Sequence, residues 1–186
     1  DFVYMYTGRV CPEKGVLELI RAFKRVLAKA PNAKLMVVGS RWYNQIDKDE
    51  YFNSLIEESE EIKDKIIFTG YIYPEDMPEI YGLADVLVIP TLCQEAFGMV
   101  ALEGMVMKIP IVATYSGGMT EVLEGVAYLV KKDELLVENL SNGMVEYYKN
   151  VDQRNKITEK AYRKVTATRE FNKNNYYSEF IQKIKI

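Results

Sequence analysis

The sequence predicts a doubly wound α/β domain, a parallel sheet of about six strands flanked by helices. Short runs that are apolar almost throughout, such as Leu35–Val38 and Asp85–Pro90, alternate with amphipathic stretches. Strands apolar on both sides are buried on both faces, the mark of a parallel sheet covered by helices. The strand–helix alternation recurs along the first 130 residues or so, which selects the doubly wound architecture. Every loop with chemically useful residues follows a strand, the edge where such sheets bind ligands.

Phe2–Thr7 is rich in β-branched and aromatic residues and stops at Gly8, so it reads as the first strand. A helix follows over Gly15–Ala30, because Val16, Leu19, Ile20, Phe23, Val26 and Leu27 share one helical face. Pro31-Asn32 ends it. Leu35–Val38, stopped by Gly39, is the second strand. A polar, aromatic loop (Ser40 to Lys48) leads to a helix near Glu50–Lys63, and Ile66–Gly70 is the third strand. Pro74–Met77 opens a short helix ending near Ala84, before the fourth strand at Asp85–Pro90. A helix is expected at about Gly98–Met107 and a fifth strand at Pro110–Thr114. Gly117-Gly118 reads as a turn, Met119–Leu123 as a short helix and Val126–Val130 as the sixth strand. Three helices close the chain, over Glu134–Asn150, Gln153–Thr168 and Asn175–Ile184. The expected organisation is a binding domain over 1–150, with the C-terminal helices of 151–186 packed on it.

The 186 residues, 48% apolar and 27% charged, suit one globular domain or at most two small ones. No apolar run approaches the roughly 18 residues that span a bilayer. Asp1–Tyr6 lacks the basic and apolar regions of a signal peptide. With no initiator Met and a strand at its start, the chain is expected to be a fragment. The absence of histidine excludes a His-based triad, metal site or general base within it. Two cysteines are too few for a disulfide scaffold, so free thiols and a cytoplasmic setting are expected. The net charge of −3 argues against general nucleic-acid binding. It hides an asymmetry: residues 1–150 hold 15 basic and 23 acidic side chains (−8), and residues 151–186 hold 9 and 4 (+5).

Three loops could carry chemistry. In Gly8–Gly15 the glycines relax the backbone, Arg9 and Lys14 bring two cations, and the following helix start offers unpaired amides. Together these suit a diphosphate. The alternative is a turn with two solvated cations. Cations at a helix start are unfavourable without an anion to offset them, which favours the anion site. The loop matches neither the phosphate-loop nor the dinucleotide glycine pattern. In Pro90–Glu103, Glu95 precedes a helix and Glu103 lies one to two turns into it. Carboxylates accept paired hydrogen bonds from vicinal hydroxyls, so sugar and ribose are natural partners. The amides of Phe97, Gly98, Met99 and Val100 form a second anion cradle. The alternative reads Glu95 as near the helix cap and Glu103 as exposed. Yet Glu103 sits among Val100, Ala101, Leu102, Met105 and Val106, where a buried glutamate needs a partner. In Thr114–Glu121 the pair Gly117-Gly118 permits close approach to a ligand or a simple tight turn, and both remain open. Tyr71, after Gly70, could stand beside a nucleobase, a weak signal in a chain with 14 tyrosines. Cys11 and Cys93 fall in two of these loops and are read as incidental.

In this order the loops resemble the carboxyl-terminal nucleotide-sugar-binding domain of retaining glycosyltransferases of the GT-B fold, specifically glycosyltransferase family 4. The most specific part is Glu95-Ala-Phe-Gly-Met-Val-Ala-Leu-Glu103, backed by Gly8-Arg-Val-Cys-Pro-Glu-Lys-Gly15 and by Gly117-Gly118 followed by Glu121. The likeness runs from about Val3 to Val130. Thr91 stands where the family often has Ser, and Gly104 where Ala is usual.

The resemblance implies a Rossmann-like fold and a set of roles. Arg9 and Lys14 would hold the donor diphosphate and stabilise it as leaving group, and Glu95 would hydrogen-bond the transferred sugar. Glu103 would hold the ribose hydroxyls. The amides of Phe97–Val100 would contact sugar and phosphate, and Gly70-Tyr71-Ile72 would flank the base. With Gly8, Gly117 and Gly118, these make the expected donor site. The expected donor is a UDP-sugar, with no cofactor and no metal. The missing partner is an amino-terminal acceptor domain, without which transfer is not expected. Polysaccharide or glycolipid synthesis is implied by the family alone. The basic tail could dock the absent domain, touch an anionic membrane face or be a solvated helix face. Two alternatives share the scaffold: a non-catalytic nucleotide-sugar-binding module, and another enzyme such as an epimerase or a phosphorylase. No clear pyridoxal phosphate lysine supports the phosphorylase.

Overall fold

The computed structural model describes residues 1–40 and 50–167. Within these residues six strands form one sheet: β1 (Phe2–Thr7), β2 (Ala33–Val38), β3 (Ile66–Gly70), β4 (Val86–Ile89), β5 (Ile111–Thr114) and β6 (Tyr128–Val130). Their order is β3-β2-β1-β4-β5-β6, and all neighbours run parallel. Seven α-helices accompany them among the described residues: α1 (Val16–Leu27), α2 (Glu50–Ser59), α3 (Met77–Tyr81), α4 (Met99–Val106), α5 (Gly117–Leu123), α6 (Leu136–Lys149) and α7 (Val151–Ala167).

Alternate strand residues feed two cores, as the two-residue period of a strand requires. Tyr4, Tyr6, Leu35, Val37, Val86, Val88 and Val112 meet α1, α2 and α6 on one face. Met5, Met36, Val38, Leu87, Ile89, Ile111 and Ala113 meet α3, α4, α5 and α7 on the other. Each fully buried side chain of the size of Leu19, Ile20 or Phe23 contributes roughly 1.5–3 kcal/mol. The last described helix, α7, packs on α4 and α6, with Ala161 and Val165 in the second core. Asn150 starts it by accepting the Gln153 amide at 3.0 Å, the role of a helix-capping side chain. No helix among the described residues is long and apolar enough to cross a membrane.

Several expected boundaries move for identifiable reasons. The first helix ends at Leu27 rather than Ala30: the Lys29 amide bonds the Val26 carbonyl three residues back, a tightened last turn. A residue before proline avoids helical geometry, so the chain loosens ahead of Pro31. The helix expected over Glu50–Lys63 stops at Ser59 and tightens into a 3-10 segment at Glu60–Lys65. Glu57, Glu58, Glu60 and Glu61 crowd like charges at helical spacing there, which weakens continuation. Gly117 and Gly118 form the first turn of α5 instead of a turn before it. Their lack of side chains is what lets α5 start there: a Cβ on Gly118 would stand 2.1 Å from the Ala96 carbonyl oxygen. The helix expected at Asn175–Ile184, and the loop beyond Ser40, lie outside the described residues.

Gly15 and Gly70 both have φ +71, but a Cβ would meet the Pro90 carbonyl oxygen at 2.1 Å in Gly15 and nothing within 4 Å in Gly70. Gly70→Ala is therefore expected to cost about 1–2 kcal/mol of left-handed strain. Gly15→Ala adds a backbone collision and should cost at least about 3 kcal/mol. Urea midpoints of the two variants check this order; equal midpoints would refute the close approach.

Candidate functional site

The sheet order reverses direction between β1 and β4: β1 connects outward to β2, and β4 to β5. The loops after these two strands splay apart, which opens a cleft at the carboxyl edge of the sheet. A cavity of about 370 Å³ lies there.

Hydrogen bonds fix both loops. The Glu13 carbonyl accepts from the amides of Leu92 (2.8 Å) and Cys93 (3.2 Å) and from the Thr91 hydroxyl (3.3 Å). The Thr91 carbonyl accepts from the Thr114 hydroxyl at 2.6 Å. Ser116 Oγ donates to the Cys93 carbonyl and accepts the Glu95 amide at 3.1 Å. Lys132 Nζ reaches across from the loop after β6 to the carbonyls of Leu92 (3.2 Å) and Cys93 (3.1 Å). On the other side, the Tyr6 hydroxyl donates to the Arg9 carbonyl at 2.5 Å.

Eight of the residues singled out from the sequence line this one cavity: Gly8, Arg9, Lys14, Glu95, Phe97, Gly98, Met99 and Val100. Lys14 Nζ donates to Glu95 Oε1 in a half-buried ion pair. The Thr91 hydroxyl shares its one proton between the Glu13 carbonyl and this oxygen, 3.1 Å away, and the Cys93 thiol lies 3.8 Å from it. Burial raises the Glu95 pKa, but the hydrogen bond and charge of Lys14, helped by Thr91 and Cys93, outweigh it. The carboxyl is therefore held below its usual range. Arg9 is more exposed and lies 3.8 Å from the Glu13 carboxylate. The Glu13 pKa is lowered by its own backbone amide first and by the Cys11 thiol next. Cys11 is pushed up, chiefly by burial. Both cysteines are free thiols. The chain's own carboxylates thus supply the anion that the cations near the start of α1 call for.

Four of the singled-out residues stand outside the cavity wall. Glu103 lies one turn beyond Met99 and Val100 on α4, partly buried, and accepts a hydrogen bond of 2.6 Å from the Tyr81 hydroxyl. Tyr71 stacks edge-on with Tyr73 in the loop after β3, ring centres 5.3 Å apart. Gly117 and Gly118 lie under the Glu95–Ala96 backbone and support the loop that carries Glu95. The structure adds Tyr6, Thr7, Ile89, Thr91, Ala96 and Met119 to the wall. Thr91 had a sequence signal, a small hydroxyl residue directly after a strand-ending proline. Met119 and Ile89 had none, since apolar residues on a helix or strand read as core. Among the described residues, no group of three or more Cys, Asp or Glu is placed to hold a metal ion.

Fold and site together define a doubly wound α/β domain with an anion-compatible cleft at its switch point. The chain belongs to the glycosyl transferases group 1 family, whose sequence model matches residues 1–164. It is 32% identical over 161 residues to the lipopolysaccharide 1,2-N-acetylglucosaminetransferase of Salmonella typhimurium, covering 86% of this chain and 42% of that protein. Its fold matches the C-terminal domain of a glycosyl transferase group 1 family protein, LpcC, from Francisella tularensis, with TM-score 0.79 and 25% identity over 90% of this chain and 86% of that one. It also matches Anabaena Alr3699/HepE, solved in complex with UDP, with TM-score 0.80 and 22% identity over 99% of this chain and 47% of that one. The chain thus spans about two fifths of the length of the curated relative.

Because folding lowers the Glu95 pKa, its stabilising contribution is complete above the ordinary carboxylate value near 4.3 and is lost as pH falls through the lowered one. Glu95→Gln is expected to cost about 1–2 kcal/mol at pH 7. That difference from the parent chain should shrink steadily below pH about 4.3 in urea titrations. A difference independent of pH would refute the ion pair.

Proposed function

We propose that this chain is the donor-binding half of a retaining glycosyltransferase of family 4, which moves a sugar from a nucleoside-diphosphate sugar, a UDP-sugar first among them, to an acceptor held by an amino-terminal domain. The observation that carries this is the convergence of Arg9, Lys14, Glu95 and the start of α4 on one cavity at the switch point. The family membership supports it, as do the UDP bound in HepE and the sugar transfer named for the Salmonella relative.

An entering diphosphate competes with Glu95 for Lys14 and with Glu13 for Arg9. Once both cations turn to the phosphates, the Glu95 carboxylate is released to accept hydrogen bonds from the sugar hydroxyls. The amides of Phe97–Val100, leading into α4, offer their partial positive charge to sugar and phosphate. Glu103, one turn along α4 from the wall, takes the ribose hydroxyls, and Tyr71 flanks the base. Gly117 and Gly118 keep the backbone of the Glu95 loop close to the sugar. Cleavage of the sugar–phosphate bond leaves positive character on the sugar and a diphosphate anion. Preorganised cations at that anion are worth typically a few kcal/mol per donor. The departing phosphate takes the acceptor's proton, so no histidine is needed. Two cations carried by the loop after β1 fill the charge role of a metal ion, so none is required. The reaction belongs at the cytoplasmic face of a membrane in polysaccharide or glycolipid synthesis, with the net positive charge of 151–186 as the attraction to anionic lipid.

Thermal melts with UDP-, GDP- and ADP-sugars test the donor site. A matching donor at about a hundred times its dissociation constant should add roughly 2.7 kcal/mol, and Arg9→Ala and Glu103→Ala should each reduce that gain. A panel in which no nucleotide sugar raises the melting temperature would end the proposal. Membrane contact predicts co-sedimentation with phosphatidylserine vesicles that persists at about 0.15 M salt; absence of binding at low salt would remove it.

A further inference from the structure

We infer that Tyr81 is a positioning residue for nucleotide recognition: its buried hydroxyl fixes the Glu103 carboxylate in the orientation that receives the ribose hydroxyls. The inference rests on the proposed role of Glu103.

Tyr81 closes α3 and is fully buried in the second core with Met36 and Val38. Phenylalanine would supply the same apolar area, but a buried phenol needs a hydrogen-bond partner. It finds one in Glu103 Oε2 at 2.6 Å, the length of a strong charge-assisted O–H to carboxylate bond. Glu103 has three rotatable side-chain bonds, and a rigid core ring is a fixed anchor for them. On α4, Glu103 follows Met99 by four residues and Val100 by three, so all three share one helical face. Met99 and Val100 line the cavity. Glu103 thus lies one turn along α4 from the cavity wall, and the residue that holds its carboxylate does not itself line the cavity. The diphosphate cations come from the other loop, at Arg9 and Lys14. Loss of the Tyr81 hydroxyl should impair recognition of the ribose and leave that of the diphosphate intact.

The test measures binding of UDP, GDP and ADP, and of their 2′,3′-dideoxy forms, to the 186-residue chain by calorimetry. Tyr81→Phe should weaken the preferred nucleotide about fivefold to tenfold and change its dideoxy form by less than about twofold. Glu103→Gln should show the same selectivity loss. The double variant should lose little more than either single one, because the two groups act as a unit. A Tyr81→Phe chain that binds the nucleotide like the parent, beside a weakened Glu103→Gln chain, overturns the inference alone. Equal loss for the ribose and dideoxy forms in Tyr81→Phe marks a structural role and also overturns it. A parent chain that binds none of the three nucleotides overturns the proposed function and the inference together.

Discussion

The Glu13 carbonyl joins the two halves of the site. Three donors from the loop after β4 converge on it, and Gly15 lies against the Pro90 carbonyl beside them. Each such hydrogen bond contributes about 1 kcal/mol net, a substantial share in a fold whose total stability is of order 5–15 kcal/mol. This junction sets the separation of the loops. Lys14, next in sequence to Glu13, is thereby delivered to Glu95, 81 residues along the chain. A sheet edge that merely splayed would leave the two charges on separate walls.

With the loops fixed, electrostatics decides the resting state. Lys14 and Glu95 are each about a fifth exposed, so solvent screens their attraction less than it screens an exposed pair such as Arg9–Glu13. A ligand anion must replace one interaction with another inside the same cleft. That exchange favours ligands that serve both partners, an anion for the lysine and hydrogen-bond donors for the glutamate. A phosphate joined to a hydroxylated sugar has both, whereas a simple anion brings no hydrogen-bond donor for the glutamate.

The basic excess of residues 151–186 is partly used inside the fold. Lys164 caps the end of α5 through the carbonyls of Glu121 and Glu124, and Arg154 lies over the Phe2 ring at 4.9 Å. Glu159 pairs with Lys108 of the second layer. These contacts fasten α7 across the domain, so at least part of the charge has a structural use alongside any external partner.

Strand–helix order, nearly every strand end and the loops that bear the chemistry are legible in the amino-acid sequence. Those properties are local: an apolar run such as Val86–Ile89 or a three-and-four spacing such as Val16 to Val26 expresses its periodicity wherever it lies. The eight wall residues among the candidates were legible for the same reason, since a loop after a parallel strand has only one edge of the sheet to occupy. Tertiary structure alone decided which partners meet. The pairing of Lys14 with Glu95, the anchoring of Glu103 by Tyr81, and the use of Gly117 and Gly118 as a packing surface all join residues distant in the chain. Their separations depend on sheet order and helix placement, which no local pattern encodes. Met119 and Ile89 entered the cavity wall on the same account: an apolar side chain has one sequence signature whether it faces a core or a ligand, and only the surrounding fold distinguishes them.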